Sequence, residues 1–286
     1  MMFLKIALYL ILAPLIGGLL SGIDRKISAR FQGRQGPPLL QPFYDLFKLF
    51  EKQALVVNGV QDFFVGGYFV FILFTGCLFF VGGDLLLVCF ALTLAEVFLM
   101  MAACSANSPY SAMGSQRELL QMMAYEPMLL LTAIGFYIAT GSFMVDDIAK
   151  SSVSPIAYLP GMFFGFLYIL TIKFRKSPFD ISTSHHAHQE MVKGITTELS
   201  GNILALVELA VWYEDVLLLG IVGLFIVNMQ WWSFLIAAVV CLFAYILETF
   251  VDNLFPRVKW NSMLKSTWLV TLIAGGVNLL ILTLVH

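Results

Sequence analysis

Six carboxylates interrupt an otherwise oily sequence. Glu96, Glu126, Glu208, Glu214, Asp215 and Glu248 all fall within, or at the ends of, long apolar runs. An ionisable group in hydrocarbon is expensive and normally faces a protein interior or a water-filled cavity. Glu208 and Asp215 are seven residues apart and so share a helical face. Counted from a helix start near Gly201, they lie roughly 10 and 20 Å below one membrane surface. With Glu126 and Glu248 near the same ends of their own runs, they outline an acidic route from that surface toward mid-bilayer. An acid so placed is a candidate to carry a proton or to change its pairing partner. The bland reading is that each acid pairs with a nearby Lys, Arg or backbone group.

The stretch from Ser177 to Gly201, SPFDISTSHHAHQEMVKGITTELSG, is the longest polar segment. A loop that only joined two helices can be much shorter, and long polar loops in compact chains tend to carry function. His185, His186 and His188 stand close together there, and imidazole titrates near neutral pH. Their spacing fits no closed zinc pattern, and neither HExxH nor a nearby cysteine accompanies them. A pH-responsive loop or partner contacts are expected, and no metal site. Cys77, Cys89, Cys104 and Cys241 are scattered through apolar segments, against a disulfide framework or an iron-sulfur cluster held by this chain. No phosphate loop, nucleophile elbow or recognisable Cys-His pair occurs, so no catalytic residue is assigned and electron carriers are expected elsewhere.

The elements that must position these groups follow from hydropathy. At 60% hydrophobic and 12% charged residues, the 286-residue chain lies far outside the composition of soluble domains. Eight apolar runs, near 3–23, 63–82, 85–105, 122–142, 156–173, 201–227, 233–252 and 266–285, are expected to cross roughly 30 Å of hydrocarbon as helices. The fold class is therefore all-α integral membrane, one membrane domain over 1–286. A polar segment at 30–53 carries an amphipathic helix, with Leu39, Leu40, Phe43, Leu46, Phe47 and Phe50 as its apolar stripe and Asp45, Lys48, Glu51 and Lys52 elsewhere. It serves as an interfacial anchor or as a docking surface. The long loop at 174–200 is expected to be cytoplasmic. With eight spans, all Lys and Arg except Lys5 and Lys150 collect on one side, which places both termini outside. The net charge of −2 and the lack of a basic cluster argue against nucleic acid.

Five motifs carry a resemblance. RQGPPLLQPFYDLFKLFEK (Arg34 to Lys52), GSQRELLQMMAYEP (Gly114 to Pro127), SPFD (Ser177 to Asp180), QEMVKGITTELSG (Gln189 to Gly201) and FPRVKW (Phe255 to Trp260) closely resemble the NADH dehydrogenase subunit 1 family of respiratory complex I and its membrane-bound hydrogenase relatives. The resemblance implies an eight-helix heel of a membrane arm that clamps a hydrophilic redox module and passes its energy to antiporter-like pumping subunits. Quinone-reducing members carry closely spaced glutamates after the PFD motif. Here Ser182, Thr183, Ser184, His185, His186 and His188 stand instead, a loop similar to that of energy-converting, ferredoxin-linked nickel-iron hydrogenases of the Ech type.

By that resemblance, Arg34, Gln41, Asp45 and Lys48 belong to the docking loop and Arg117 and Glu126 to the inner part of the fourth span. Asp180, Glu190 and Glu198 belong to the central loop and Arg257 to the last cytoplasmic loop. Glu208, Glu214, Asp215 and Glu248 complete the coupling or proton-path set. The implied assembly is a ferredoxin-dependent, hydrogen-evolving hydrogenase of a prokaryotic cytoplasmic membrane, translocating protons or sodium. Its large, small and iron-sulfur subunits would hold the nickel-iron centre and clusters, with no cofactor in this chain. Formate hydrogenlyase, carbon-monoxide-linked hydrogenase, sulfane reductase and complex I subunits are alternatives within the family. A stand-alone secondary transporter is the alternative outside it, although no internal repeat relates 1–143 to 144–286.

Overall fold

The computed structural model describes residues 2–53, 58–183 and 193–285. Among these every regular element is helical, apart from an isolated bridge between Asp84 and Met144. Helix α1 (Met2–Phe31) leads to the short α2 (Gln41–Glu51), then α3 (Gly59–Val81) and α4 (Leu85–Ser105) form a tight hairpin. The hairpin turns where Gly82 adopts φ of 100° and Asp84 caps α4, accepting from the amides of Leu86 and Leu87. Helix α5 (Pro109–Thr140) is 32 residues long; it begins on a proline, whose missing N–H costs nothing there, and ends at Gly141 with φ of 79°. The single turn α6 (Val145–Ala149), α7 (Pro160–Lys173), α8 (Gly201–Leu224) and α9 (Trp231–Leu254) follow. Helix α10 (Trp260–Val270) passes through one π turn, Thr271–Gly276, into α11 (Val277–Val285).

Helix α8 is the hub and touches α1, α2, α3, α6, α7 and α9. The tightest packing surrounds Tyr68, Phe136, Phe166 and Phe225, all fully buried. By contrast α1, α9 and α10–α11 turn Phe3, Ile11, Phe243, Leu272 and Leu284 outward, the disposition of helices that face acyl chains or neighbouring subunits. Among the described residues six helices are long and apolar enough to cross a membrane: α1, α3, α4, α5, α9 and the continuous Trp260–Leu284. Two of the eight expected spans fall short of that standard. Helix α7 has only 14 residues, about 21 Å against a core of about 30 Å. Helix α8 has the length but carries Glu208, Glu214 and Asp215.

The amphipathic helix expected from the sequence is α2, and its apolar stripe is only partly covered: Leu46 and Phe43 pack with Trp212, Ala205 and Leu209 of α8, while Leu40, Tyr44 and Phe47 along the adjoining edge stay exposed. The central loop is not simply displayed to water. Its described flanks, 174–183 and 193–200, fold inward, and Lys176, Asp180, Ser182 and Ile195 are all buried. His185, His186, His188 and Glu190 lie outside the described residues.

Candidate functional site

The turn after α7 positions the site. Residues 173–176 read Lys-Phe-Arg-Lys, and the orientation argument counts all three cations as loop charges facing water. The structure turns them inward instead. Arg175 adopts φ of 52°, the left-handed region, which ends α7 and swings its guanidinium back toward the core. Lys173 and Lys176, three apart, leave the same turn in different directions.

Lys173 enters a sealed ion-pair cluster. Its Nζ donates to Glu96 Oε1 of α4 at 3.0 Å and to Glu214 Oε1 of α8 at 3.0 Å, and it sits 4.5 Å from the centre of the Tyr125 ring. Arg175 donates to Glu118 Oε1 of α5 at 3.1 Å and lies 3.6 Å from Glu96 Oε2. Tyr68 of α3 donates to Glu214 Oε2 at 3.3 Å. The side chains of Lys173, Glu96, Glu214 and Glu118 are 2–5% exposed. Four helices, α3, α4, α5 and α8, thus deliver side chains to one turn, and three carboxylates face two cations. Fully ionised, the cluster has one negative charge in excess, an unfavourable state for a buried group that a single added proton relieves.

Lys176 enters an open cleft of about 790 Å³ between α1, α8 and α9, lined also by Asp24, Arg34, Glu208, Asp215, Tyr245 and Asp252. Its Nζ donates to Asp24 Oδ1 at 2.7 Å and to Thr249 Oγ1 at 3.0 Å; the threonine hydroxyl in turn donates to Asp24 Oδ1 at 2.7 Å. Cluster and cleft are adjacent along α8, since Glu214 serves the first and Asp215 the second.

A plug made from the motif segments closes the site from the loop side. Gln121 Nε2 donates to Phe179 O at 2.6 Å, Arg257 Nη2 to Asp180 O at 2.7 Å, and Val258 N to Pro178 O at 3.0 Å. Arg257 Nε also stands 3.4 Å from Asp180 Oδ1. Ile195 N donates to Ser182 O at 3.3 Å. Gly194, at φ of 55°, packs so tightly that a Cβ would lie 1.8 Å from Ser182 O, so no larger residue fits.

Of the residues singled out from sequence, Glu208 and Asp215 share the cleft as their spacing implies. Glu214 joins the cluster, where the bland expectation of pairing with a basic residue describes its contacts. Glu248 is buried on α9, apart from both cations of the cluster, and Glu126 and Glu198 are half-buried without an ion pair among the described residues. Arg117 and Arg257 brace the plug; Asp45 pairs with Arg25 at 2.6 Å and accepts from Gln41 at 2.9 Å. Arg34 donates to Gln32 at the cleft rim. Sequence reasoning misses Lys173, Arg175, Glu118 and Tyr68. One signal points there: Glu96 is the sole charge in Leu85–Ser105 and demands a cation from elsewhere. Among the described residues no group of three or more His, Cys, Asp or Glu is arranged to hold a metal.

Known proteins share this architecture. The family model described as NADH dehydrogenase matches residues 4–283. Hydrogenase-4 component C of Escherichia coli K12 is 26% identical, over 91% of this chain and 88% of its own length. An NADH-quinone oxidoreductase subunit of Rhodospirillum rubrum is 27% identical, over 92% and 87%. Among solved structures, a chain of the membrane-bound sulfane sulfur reductase, an archaeal respiratory membrane complex, superposes with a TM-score of 0.89 at 25% identity, covering 98% of this chain and 99% of that one.

Proposed function

Because this chain belongs to the NADH dehydrogenase family, we propose that it anchors and couples a ferredoxin-dependent, hydrogen-evolving nickel-iron hydrogenase that moves protons or sodium ions. At the coarser level it is a multi-pass membrane subunit of a complex I-like or hydrogenase complex. The observation that carries the coupling role is Lys173 held at equal distance from Glu96 and Glu214, one residue from the acid that lines the open cleft. A cation shared evenly by two carboxylates changes its preferred partner when one of them gains a proton. The cleft supplies a hydrated route by which Glu208 and Asp215 can exchange protons with one side. The plug, built from the motif segments, is the element through which a bound redox module would bias that pairing.

In this reading the nickel-iron centre and iron-sulfur clusters reside in partner subunits on the cytoplasmic face, beside an antiporter-like membrane subunit. Arg34, Gln41, Asp45 and Lys48 form the docking surface with α2, whose open face of Leu40, Tyr44 and Phe47 meets lipid or partner. Both termini face outward from the cytoplasmic membrane of a prokaryote. The histidine-bearing segment that replaces acidic residues supports the hydrogenase subgroup, as does the similarity to Hydrogenase-4 component C. The sulfane reductase reading stands second, on the strength of the structural likeness.

The test is purification of the intact complex. The hydrogenase reading expects nickel, iron and large and small hydrogenase subunits to accompany this chain, and ferredoxin-driven hydrogen evolution to drive ion uptake in vesicles. A complex without nickel that reduces a sulfane substrate favours the second reading, and a chain that transports ions alone overturns both. Single cysteines at Ser152 and Asn261 are expected to react from opposite membrane faces.

A further inference from the structure

The charged residues near the end of α1 divide into two pairs. Asp24 and Arg25 are engaged by the protein itself: Lys176 donates to Asp24, and Arg25 donates to Asp45 of α2. Lys26 and Arg30, one turn apart, are exposed and make no ion pair or side-chain hydrogen bond among the described residues. With Ile23, Ile27, Phe31 and Leu39 they line an open groove of about 560 Å³ that carries no acid. Its far wall is fixed, because the turn before α2 lies directly on α1. A Cβ on Gly22 would stand 2.1 Å from Leu39 O, and one on Gly36 would stand 3.0 Å from the Lys26 Cα. Two uncompensated cations beside an apolar wall select an anion that carries an apolar body of its own.

The position of the groove along α1 says which kind. The apolar run 3–23 is long enough to fill about 30 Å of hydrocarbon, so the backbones of Lys26 and Arg30 stand roughly 5 and 10 Å beyond it. Helical side chains lean toward the N-terminus, here toward the span, and long basic side chains lay their stems along apolar surface; both cations therefore reach back to headgroup level. Below them Leu8, Leu12, Ile16 and Leu19 recur at helical spacing on the same stripe of α1, and all four are exposed. That stripe is an apolar path in line with acyl chains. An acidic protein segment would satisfy the two cations but leave the stripe unmatched. We propose that the groove binds an anionic phospholipid, its phosphodiester between Lys26 and Arg30 and its acyl chains along α1. The site rests on α1 and the turn packed against it, and does not depend on the coupling role of the cluster.

The experiment uses the purified complex. After delipidation, native mass spectrometry with added dioleoyl phosphatidylglycerol or dioleoyl phosphatidylcholine should show retention of the first in preference to the second, and excess inorganic phosphate should not displace it. Lys26→Gln and Arg30→Gln should each weaken the retention of one phosphatidylglycerol about fivefold, the effect of one interfacial cation, and together about 25-fold. Lys26→Arg should keep it, and Lys265→Gln, on α10 and outside the groove, should leave it unchanged. A photo-crosslinking residue at Leu39, with every basic residue intact, should give an adduct with added phosphatidylglycerol. Equal retention of phosphatidylcholine, displacement by inorganic phosphate, an equal loss in Lys265→Gln, an adduct to another subunit in place of lipid, or no lipid adduct would each overturn the proposal.

Discussion

The sealed cluster around Lys173 and the open cleft around Lys176 are built from the same few residue types and even from neighbouring residues. Lys173 and Lys176 leave one turn, and Glu214 and Asp215 are consecutive on α8. What differs is access to water. Side chains of the cluster acids are at most 5% exposed, whereas that of Asp24 in the cleft is 26% exposed. In the cluster each charge depends on its partners, because no solvent can replace a lost one. In the cleft, water can stand in, so the same substitution costs less stability. Sealed and open surroundings are thereby separated by a single helical turn.

Removing Lys173 tests the first half most severely. Lys173→Met keeps the length of the side chain but strips Glu214 of its ion pair and leaves Glu96 only the more distant Arg175, at 3.6 Å. Loss of one partner from a buried pair costs about 3–5 kcal/mol, so poor accumulation in membranes and failure to assemble the complex are expected. Adding Glu214→Gln should restore part of that loss, and a double-mutant cycle on thermal stability in detergent measures the coupling. If Lys173→Met is as stable as the parent, the cluster is not a buried, interdependent unit.

The neighbours on α8 give the cleanest contrast. Glu214→Gln removes a charged acceptor from Lys173 and Tyr68 and should cost about 1–3 kcal/mol. Asp215→Asn, one residue away but facing the cleft, should stay within about 0.5 kcal/mol, as ordinary partly hydrated sites do. Under the proposed function its effect belongs in vesicles: the soluble module should stay bound and reduce an artificial dye, while ion uptake per hydrogen should fall. Glu208→Gln should behave like Asp215→Asn. Equal losses of stability at 214 and 215 would erase the distinction between the two regions.

Lys176→Met should fall between these, at roughly 1–2 kcal/mol, since it removes a charge-assisted bond to Asp24 from a side chain that is 8% exposed beside a cleft water can enter. Thermal shifts of the purified complex would rank the three sites, and a loss larger than that of Lys173→Met would invert the comparison.

Why the helices are legible in the sequence and the cluster is not follows from what each depends on. Long apolar runs, Asp84 before Leu85, and Gly141 after Thr140 are local signals, and each marks an element end in the structure. The cluster is made of contacts 77, 41 and 57 residues apart in sequence. Lys173, Arg175 and Lys176 look like loop charges because they follow an apolar run. Only the left-handed backbone at Arg175 and the shortness of α7 draw them inward. Six of the eight expected spans, and not all eight, meet the length and hydropathy standard for a related reason. A hydropathy window expects hydrocarbon around α7 and α8, whereas α8, packed on six other helices, can carry three acids within one length. The apolar stripe of α2 is legible as one face, but the sequence does not say that α8 covers Phe43 and Leu46 and leaves Tyr44 and Phe47 outside.

The smallest effect is expected at the surface pair that holds α2 to α1, and it is the one whose pH dependence has a definite sign. Partial burial raises the Asp45 pKa, but hydrogen bonds from Arg25 and Gln41, aided by the charge of Lys48, outweigh it and hold the carboxyl below its ordinary value. A carboxyl with a depressed folded-state pKa contributes stability that is present above the unfolded pKa and lost as pH falls through the folded one. Asp45→Asn should therefore cost the same small amount across neutral pH and nothing once the medium is more acidic than the folded-state value. Both side chains are about 40% exposed, so screening limits the loss to a few tenths of a kcal/mol up to about 1, and added salt should shrink it further. Thermal unfolding of the parent and Asp45→Asn complexes, measured at neutral pH and near pH 3 at two salt concentrations, checks this. A gap that widens toward acid would mean that Asp45 is held by burial rather than by Arg25, and α2 would then resemble the sealed cluster more than the open cleft.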